Sequence, residues 1–162
     1  KQITNLRQYV KEIMDKRELK CNCIRCREPK DNAINMEKIK ILKQEYQASK
    51  GTEIFISAED TKNNLLLGFL RLRIPYKPFR KEIIANSAGI RELHVYGPLA
   101  QLGKIGQIQH RGIGKKLLYE AEKIVKEDYD IKKLLIISGI GTRNYYRKFN
   151  YKLDGPYMSK LI

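Results

Sequence analysis

Apolar residues at Ile3, Leu6, Val10, Ile13 and Met14 recur at helical spacing, with Arg7, Lys11, Lys16 and Arg17 mostly off that face. The pattern predicts an amphipathic, basic helix at the start of the chain. A turn-rich segment with three cysteines follows, from Cys21 to Asn35. Ile39–Ala48 and Glu53–Ser57 read as strands, and a polar turn at Asp60–Asn64 leads into a third strand, Leu65–Arg73, with Gly68 inside it. Pro75 and Pro78 break the pattern, and Lys77–Ser87 fits a short helix or a loop. Ile90–Tyr96 alternates as a strand, and the glycine-containing stretch Gly97–Gln107 is a loop. From Gly112 to Lys126, apolar Ile113, Leu117, Leu118, Ala121, Ile124 and Val125 form one helical face. Lys133–Ser138 is a short apolar strand and Thr142–Phe149 a helix. Tyr151–Leu153 and Tyr157–Ile162 close as a hairpin around Gly155-Pro156. This order predicts an α+β fold with a mixed sheet.

The most informative local feature is Gln109-His110-Arg111-Gly112-Ile113-Gly114, between the Ile90–Tyr96 strand and the long amphipathic helix. Glycines at a helix mouth leave unpaired amides uncovered, so a pyrophosphate can sit against them. By itself the run also fits an ordinary helix start. No Gly-Lys-Ser/Thr follows, which excludes a Walker loop, and the three-glycine dinucleotide fingerprint is missing as well. No Ser-His-Asp set or paired-carboxylate site is evident.

The glycine run resembles the pyrophosphate loop of the GNAT acetyltransferases, which bind acetyl-CoA. Arg-Glu-Leu-His-Val-Tyr-Gly (91–97), the Gln-His-x-Gly-x-Gly loop, Ile-Ser-Gly-Ile-Gly-Thr-Arg-Asn-Tyr-Tyr-Arg-Lys (137–148) and Gly-Pro-Tyr-Met (155–158) resemble, in this order, the acetyltransferase domain of the Elongator catalytic subunit. The likeness runs from about Cys21 to the end. It implies a GNAT fold, with a mostly antiparallel twisted sheet flanked by helices. It divides the chain into a basic helix with a cysteine-rich zinc loop (1–35) and an acetyltransferase domain (36–162). It also implies that Glu92, Leu93, His94 and Val95 line the cofactor edge with their backbone. Gln109, Gly112, Ile113, Gly114 and Lys115 would bind the pyrophosphate, and Lys115 or Lys116 would add charge. Tyr145 and Tyr146 are the candidate catalytic residues, with Tyr146 preferred for cofactor contact. A phenol there either donates a proton to the leaving thiolate or packs on the cofactor. Adjacent helical residues cannot both face one way, so one tyrosine is expected in the core and one on the surface.

The cysteines fall as Cys21-x-Cys23-x-x-Cys26, and the chain has no others. This spacing reads as a metal site more readily than as a disulfide, with unligated thiols as the alternative. Thiolates suit zinc, which takes four ligands, so one is missing from the motif. His94, His110, water or another domain could supply it, with His94 preferred. The resemblance supports a structural zinc.

Thirty-three Lys and Arg against eighteen Asp and Glu give a net charge of +15 over 162 residues. That imbalance attracts polyanions, nucleic acid first, although it also serves solubility. Basic residues gather in Lys1–Arg27, Arg71–Lys81, Lys104–Lys116 and Arg143–Lys152. No apolar run approaches the roughly 20 residues needed to span a bilayer. The first residue is Lys1, which fits a fragment.

The resemblance further implies a cytoplasmic enzyme that forms 5-carboxymethyluridine at the wobble position of tRNA, with tRNA-stimulated hydrolysis of acetyl-CoA. An upstream radical SAM domain would carry S-adenosylmethionine and an iron–sulfur cluster, and other Elongator-type subunits are possible partners. The isolated chain would not complete that reaction. Two alternatives stand beside it. A protein lysine acetyltransferase would need a free carboxylate base such as Glu92, for which Arg91 is the neighbouring cation. An RNA-binding module would carry a degenerate cofactor pocket.

Overall fold

The structure is a computed structural model that describes residues 5–30, 34–96 and 112–162. Seven strands make one sheet: β1 (Lys40–Ala48), β2 (Gly51–Asp60), β3 (Leu65–Ile74), β4 (Ser87–Val95), β5 (Lys133–Ile136), β6 (Lys152–Asp154) and β7 (Tyr157–Leu161). Their spatial order is β1-β2-β3-β4-β5-β7-β6. Every neighbouring pair is antiparallel except β4 and β5. Among the described residues three α-helices accompany the sheet: α1 (Leu6–Lys16), α2 (Ile113–Glu127) and α3 (Arg143–Arg147). This is the mixed, mostly antiparallel GNAT architecture expected from the sequence.

The parallel pair follows from the connection. A helix between two strands of one sheet returns the chain to the same end, and α2 makes that crossover. Its apolar face, Ile113, Leu117, Leu118, Ala121, Ile124 and Val125, is buried. That face packs over β2, β3 and β4 in one core with Ile54, Ile56, Ala58, Leu70, Leu72 and Ile90. Burying such side chains contributes about 1.5–3 kcal/mol each, so α2 is fixed by its packing rather than by propensity.

Two bulges shape the centre of the sheet. Between β3 and β4, Arg71 faces Glu92 but Leu72 faces Ile90, which leaves Arg91 as the extra residue. A bulge of this kind bends and twists the strand that carries it. The second, opposite Ala58 and Glu59 of β2, leaves Leu67 of β3 as the extra residue.

Several boundaries differ from the sequence pattern. β2 runs from Gly51 to Asp60 rather than over Glu53–Ser57, because its polar residues find partners inside the fold. Glu53 is buried against Arg91 (2.7 Å) and Arg73 (3.4 Å). Glu59 pairs with Arg27 and accepts from Ser57 at 2.7 Å. Lys77–Ser87 is a loop of turns up to the start of β4 at Ser87. The helix expected over Thr142–Phe149 is a 3-10 turn, Ile140–Thr142, followed by the short α3. α1 forms as the spacing predicts, yet none of its residues is buried. Ile3 and the Gly97–Gln107 loop lie outside the described residues.

Candidate functional site

The pairing of β4 with β5 stops early. It runs from Ser87↔Lys133 to Ile90↔Ile136, with a last bond from Ile137 N–H to the Ile90 carbonyl at 3.1 Å. Beyond that rung, Glu92, Leu93, His94 and Val95 pair only with β3, opposite Arg71, Leu70, Phe69 and Gly68. Among the described residues, their β5-facing backbone edge has no strand partner. Unpaired peptide groups of this kind bind an extended amide-bearing ligand as a further strand would. Leu93 and Val95 pack against the core, while the His94 side chain is exposed. Glu92 Oε2 lies 3.4 Å from Arg71 Nη1. Arg91, expected to pair with Glu92, instead reaches Glu53, because the bulge separates the two neighbours.

The helix α2 begins just past the open end of β4. Gly112 precedes it at φ 79°, a left-handed conformation that glycine adopts without a steric penalty. Among the described residues no side chain caps the first turn, and the first intrahelical bond runs from Lys116 N–H to the Gly112 carbonyl at 2.9 Å. The amides of Ile113, Gly114 and Lys115 therefore lack helical acceptors, and the helix dipole favours an anion beside them. Lys115 and Lys116 are exposed at the same turn. Gln109 and His110 lie outside the described residues.

Gly114 sits where three elements converge. A Cβ on it would lie 2.7 Å from the Tyr145 hydroxyl oxygen and 3.6 Å from Val95 Cγ2. Tyr145 of α3 thus rests its hydroxyl against the mouth of α2, beside the end of β4. Gly68 of β3 performs a related service, since a Cβ there would lie 2.8 Å from the His94 carbonyl oxygen and 3.3 Å from Ile113 Cγ2. It admits the close approach of β4 and α2. An isolated glycine inside a strand, as Gly68 is, often marks such an approach.

The two adjacent tyrosines separate as helical geometry requires. Tyr146 is 7% exposed and belongs to the core, 6.2 Å from the Tyr151 ring. Tyr145 is 36% exposed and packs its ring on Phe149 (5.1 Å) and Tyr146 (5.2 Å). Burial raises the pKa of Tyr145, and burial with the neighbouring phenol pushes Tyr146 to about 12. Both phenols hold their protons at neutral pH.

A second cluster lies near the start of the chain. The sulfurs of Cys21, Cys23 and Cys26 all fall within 4.8 Å of one another. A 3-10 turn, Ile24–Arg27, brings them together through the bond from Cys26 N–H to the Cys23 carbonyl at 3.0 Å. Hydrogen bonding, chiefly from the Cys26 backbone, lowers the Cys23 pKa to about 7. Tetrahedral zinc with bonds of about 2.3 Å separates its sulfurs by about 3.8 Å, so this trio can hold such an ion. No histidine among the described residues joins it. His94, the preferred fourth ligand, instead meets Tyr96 edge-on (4.5 Å) and stacks on Phe69 (5.9 Å). The loop is tied to the sheet by Arg27 to Glu59 and by Asn64 Nδ2 to Asn22 Oδ1 at 2.8 Å. A cavity of about 750 Å³ lies between α1 and the cysteines, lined by Arg7, Val10 and Met14 on the helix side, and Arg7 Nη2 reaches Cys26 Sγ at 3.5 Å.

No family model matches the chain. It is 51% identical over 168 aligned residues to the tRNA uridine(34) acetyltransferase of Methanocaldococcus jannaschii, covering 98% of this chain and 31% of that protein. It is 40% identical to Elongator complex protein 3 of Saccharomyces cerevisiae, covering 98% of this chain and 30% of the relative. Among solved structures, the Elp3 protein of Methanocaldococcus infernus, with residues 1–46 deleted, superposes with a TM-score of 0.87 at 48% identity. That match covers 98% of this chain and 39% of the solved one. The chain thus spans about a third of the relatives it matches, and over nearly its whole length it is similar to one segment of these Elongator protein 3 relatives.

Proposed function

We propose that this chain is the acetyl-CoA-binding part of an enzyme that modifies uridine 34, the wobble base of tRNA. The observation that carries the proposal is the meeting of three features at one point: the unpaired edge of β4, the uncapped amides of α2, and the Tyr145 hydroxyl at Gly114. Acetyl-CoA, when bound, supplies an acyl group activated as a thioester. The amides of Ile113, Gly114 and Lys115 would hold its pyrophosphate, with Gly112 leaving the approach clear and Lys115 or Lys116 adding charge. The backbone of Glu92–Val95 would pair with the pantetheine amides and align the carrier along β4.

Tyr145 would direct its hydroxyl into the cleft and hold its proton there. Its raised pKa suits a hydrogen-bond donor that remains neutral. Tyr146 would act through packing, since its ring fixes Tyr145 from the core side. The ion pair of Glu92 with Arg71 counts against a lysine acetyltransferase, which needs an unpaired carboxylate base. Cys21, Cys23 and Cys26 would hold a structural zinc that staples 1–35 to the domain formed by 36–162.

The finer chemistry is carried over from the family resemblance. In that reading the acetyl unit joins carbon five of the uridine and yields 5-carboxymethyluridine, with tRNA-stimulated hydrolysis of the thioester. S-adenosylmethionine and an iron–sulfur cluster would belong to a separate domain of the longer protein, and Elongator-type subunits would be its partners in the cytoplasm. The net charge of +15 supports a tRNA partner. Among the described residues, no helix is long and apolar enough to cross a membrane.

Calorimetry with a non-hydrolysable acetyl-CoA analogue tests the cofactor reading. Saturable one-to-one binding that is lost when Gly112 is replaced by valine is expected. An absence of binding to the full-length protein in the presence of tRNA would defeat it.

A further inference from the structure

The loop between β3 and β4 displays a feature that the cofactor site does not use. Phe79 is 91% exposed and Tyr76 68% exposed, within the run Tyr76-Lys77-Pro78-Phe79-Arg80-Lys81. A single exposed apolar side chain is ordinary, but two large rings exposed three residues apart in one basic loop form a candidate contact surface.

The base of the loop is firmly tied. Lys133 Nζ donates to the Glu82 carbonyl at 2.7 Å, and Ile83 N–H donates to the Arg80 carbonyl at 3.1 Å. The Asn86 carbonyl accepts from Lys132 N–H at 3.0 Å. The Glu82 side chain packs so closely on Gly155 that a Cβ there would lie 2.5 Å from its Oε1. Glu82, the one acid between Arg73 and Ser87, is thereby turned away toward the β6–β7 turn.

The cations of the loop remain available. Among the described residues, none of Lys50, Lys77, Arg80 and Lys81 has a carboxylate partner. The Arg80 guanidinium lies 5.7 Å from the Phe79 ring centroid, and Lys50 Nζ lies 5.9 Å from that of Tyr76. A flat aromatic face flanked by unpaired cations is the surface on which unstacked nucleobases settle, with the phosphates taken by the cations. A protein partner would have to be acidic and apolar at once. The strongly basic chain favours the polyanion.

We infer that the Tyr76–Lys81 loop is a second RNA contact, at which Phe79 stacks on an unpaired base and Lys77, Arg80 and Lys81 hold the adjoining phosphates. The inference rests on the tRNA reading of the preceding subsection and adds a specific anchor to it. The loop precedes β4 at Ser87, and the unpaired edge begins at Glu92, five strand steps or about 16 Å further along. The stacked base is a nucleotide other than the one that reacts, in a loop or unpaired end of the same RNA.

The test is fluorescence anisotropy of a labelled tRNA with the full-length protein over a salt series, for wild type, Phe79→Ala, Phe79→Trp and Arg80→Ala/Lys81→Ala. Phe79→Ala is expected to weaken binding at least about fivefold at every salt concentration and to leave the salt slope unchanged. Phe79→Trp should keep wild-type affinity. The double substitution should reduce the log–log salt slope by about one to two. Acetyl-CoA analogue binding should be the same in all four proteins. Wild-type binding with undiminished Phe79→Ala affinity would overturn this inference alone. A lowered melting temperature in that variant would then assign the ring to a protein contact. Failure of wild type to bind tRNA even at low salt would overturn the tRNA reading itself, and this inference with it.

Discussion

Replacing Gly114 by alanine sets two effects of known sign against each other. Alanine in place of glycine in the first turn of α2 lowers the backbone entropy of the unfolded chain and raises helix propensity, a gain of about 0.5–1 kcal/mol. The new Cβ, however, would lie 2.7 Å from the Tyr145 hydroxyl oxygen, and relief to an ordinary 3.4 Å contact requires a shift of about 0.7 Å. The Tyr145 ring is held by Phe149 and Tyr146, so the shift opposes two aromatic contacts worth about 0.5–1.5 kcal/mol each. The two effects should nearly cancel in Gly114→Ala. In a Tyr145→Phe background the oxygen is gone, and the nearest ring atom, Cζ, lies 3.7 Å from the new Cβ. There the gain from alanine should appear in full, as a rise in melting temperature of about 1–4 °C. Thermal denaturation of wild type, both single variants and the double variant forms a double-mutant cycle. Calorimetry with the acetyl-CoA analogue on the same four proteins adds a functional axis, and the single Gly114→Ala variant should lose several-fold in affinity as Tyr145 moves. Equal stabilisation by alanine in both backgrounds, with unchanged analogue binding, would refute a Tyr145 hydroxyl seated at the α2 mouth.

Other expectations follow from the same geometry. Gly68→Ala drives a Cβ against the His94 carbonyl, which is backbone and cannot turn aside. It should cost about 1–3 kcal/mol, seen as a melting temperature several degrees lower. Metal analysis should find one zinc per chain, and chelation or Cys26→Ser should lower the melting temperature and expose 20–30 to proteolysis. The Tyr146 pKa near 12 lies above that of an unfolded phenol near 10. Its contribution to stability is therefore complete below pH 10 and is lost as pH rises from about 10 to 12. Tyr146→Phe should flatten that part of the stability–pH curve, measured by urea denaturation at stepped pH. Glu53→Gln removes the charge shared by Arg73 and Arg91 and should cost about 1–3 kcal/mol in the same assay.

Much of this arrangement could be read from residue order. The face of α2 from Ile113 to Val125, the strands rich in branched and aromatic residues, and Gly112 at the helix mouth all carry their signal locally. The opening between β4 and β5 does not, because it depends on where β5 ends at Ile136 and on a bulge at Arg91. The same bulge moved Arg91 from Glu92 to Glu53, a partner 38 residues away. Adjacency showed that Tyr145 and Tyr146 face different ways, but only packing shows that Tyr146 is the one in the core. The cysteine spacing identified a three-thiol cluster, whereas the exclusion of His94 from it required the aromatic stack with Phe69 and Tyr96.

The most direct test of the cofactor site is an amide NMR titration of this chain with the non-hydrolysable acetyl-CoA analogue. The account predicts that the largest perturbations fall on Gly112–Lys115 and Glu92–Val95, with a smaller effect at Tyr145. Saturable binding that leaves both segments unperturbed and shifts residues elsewhere would contradict it.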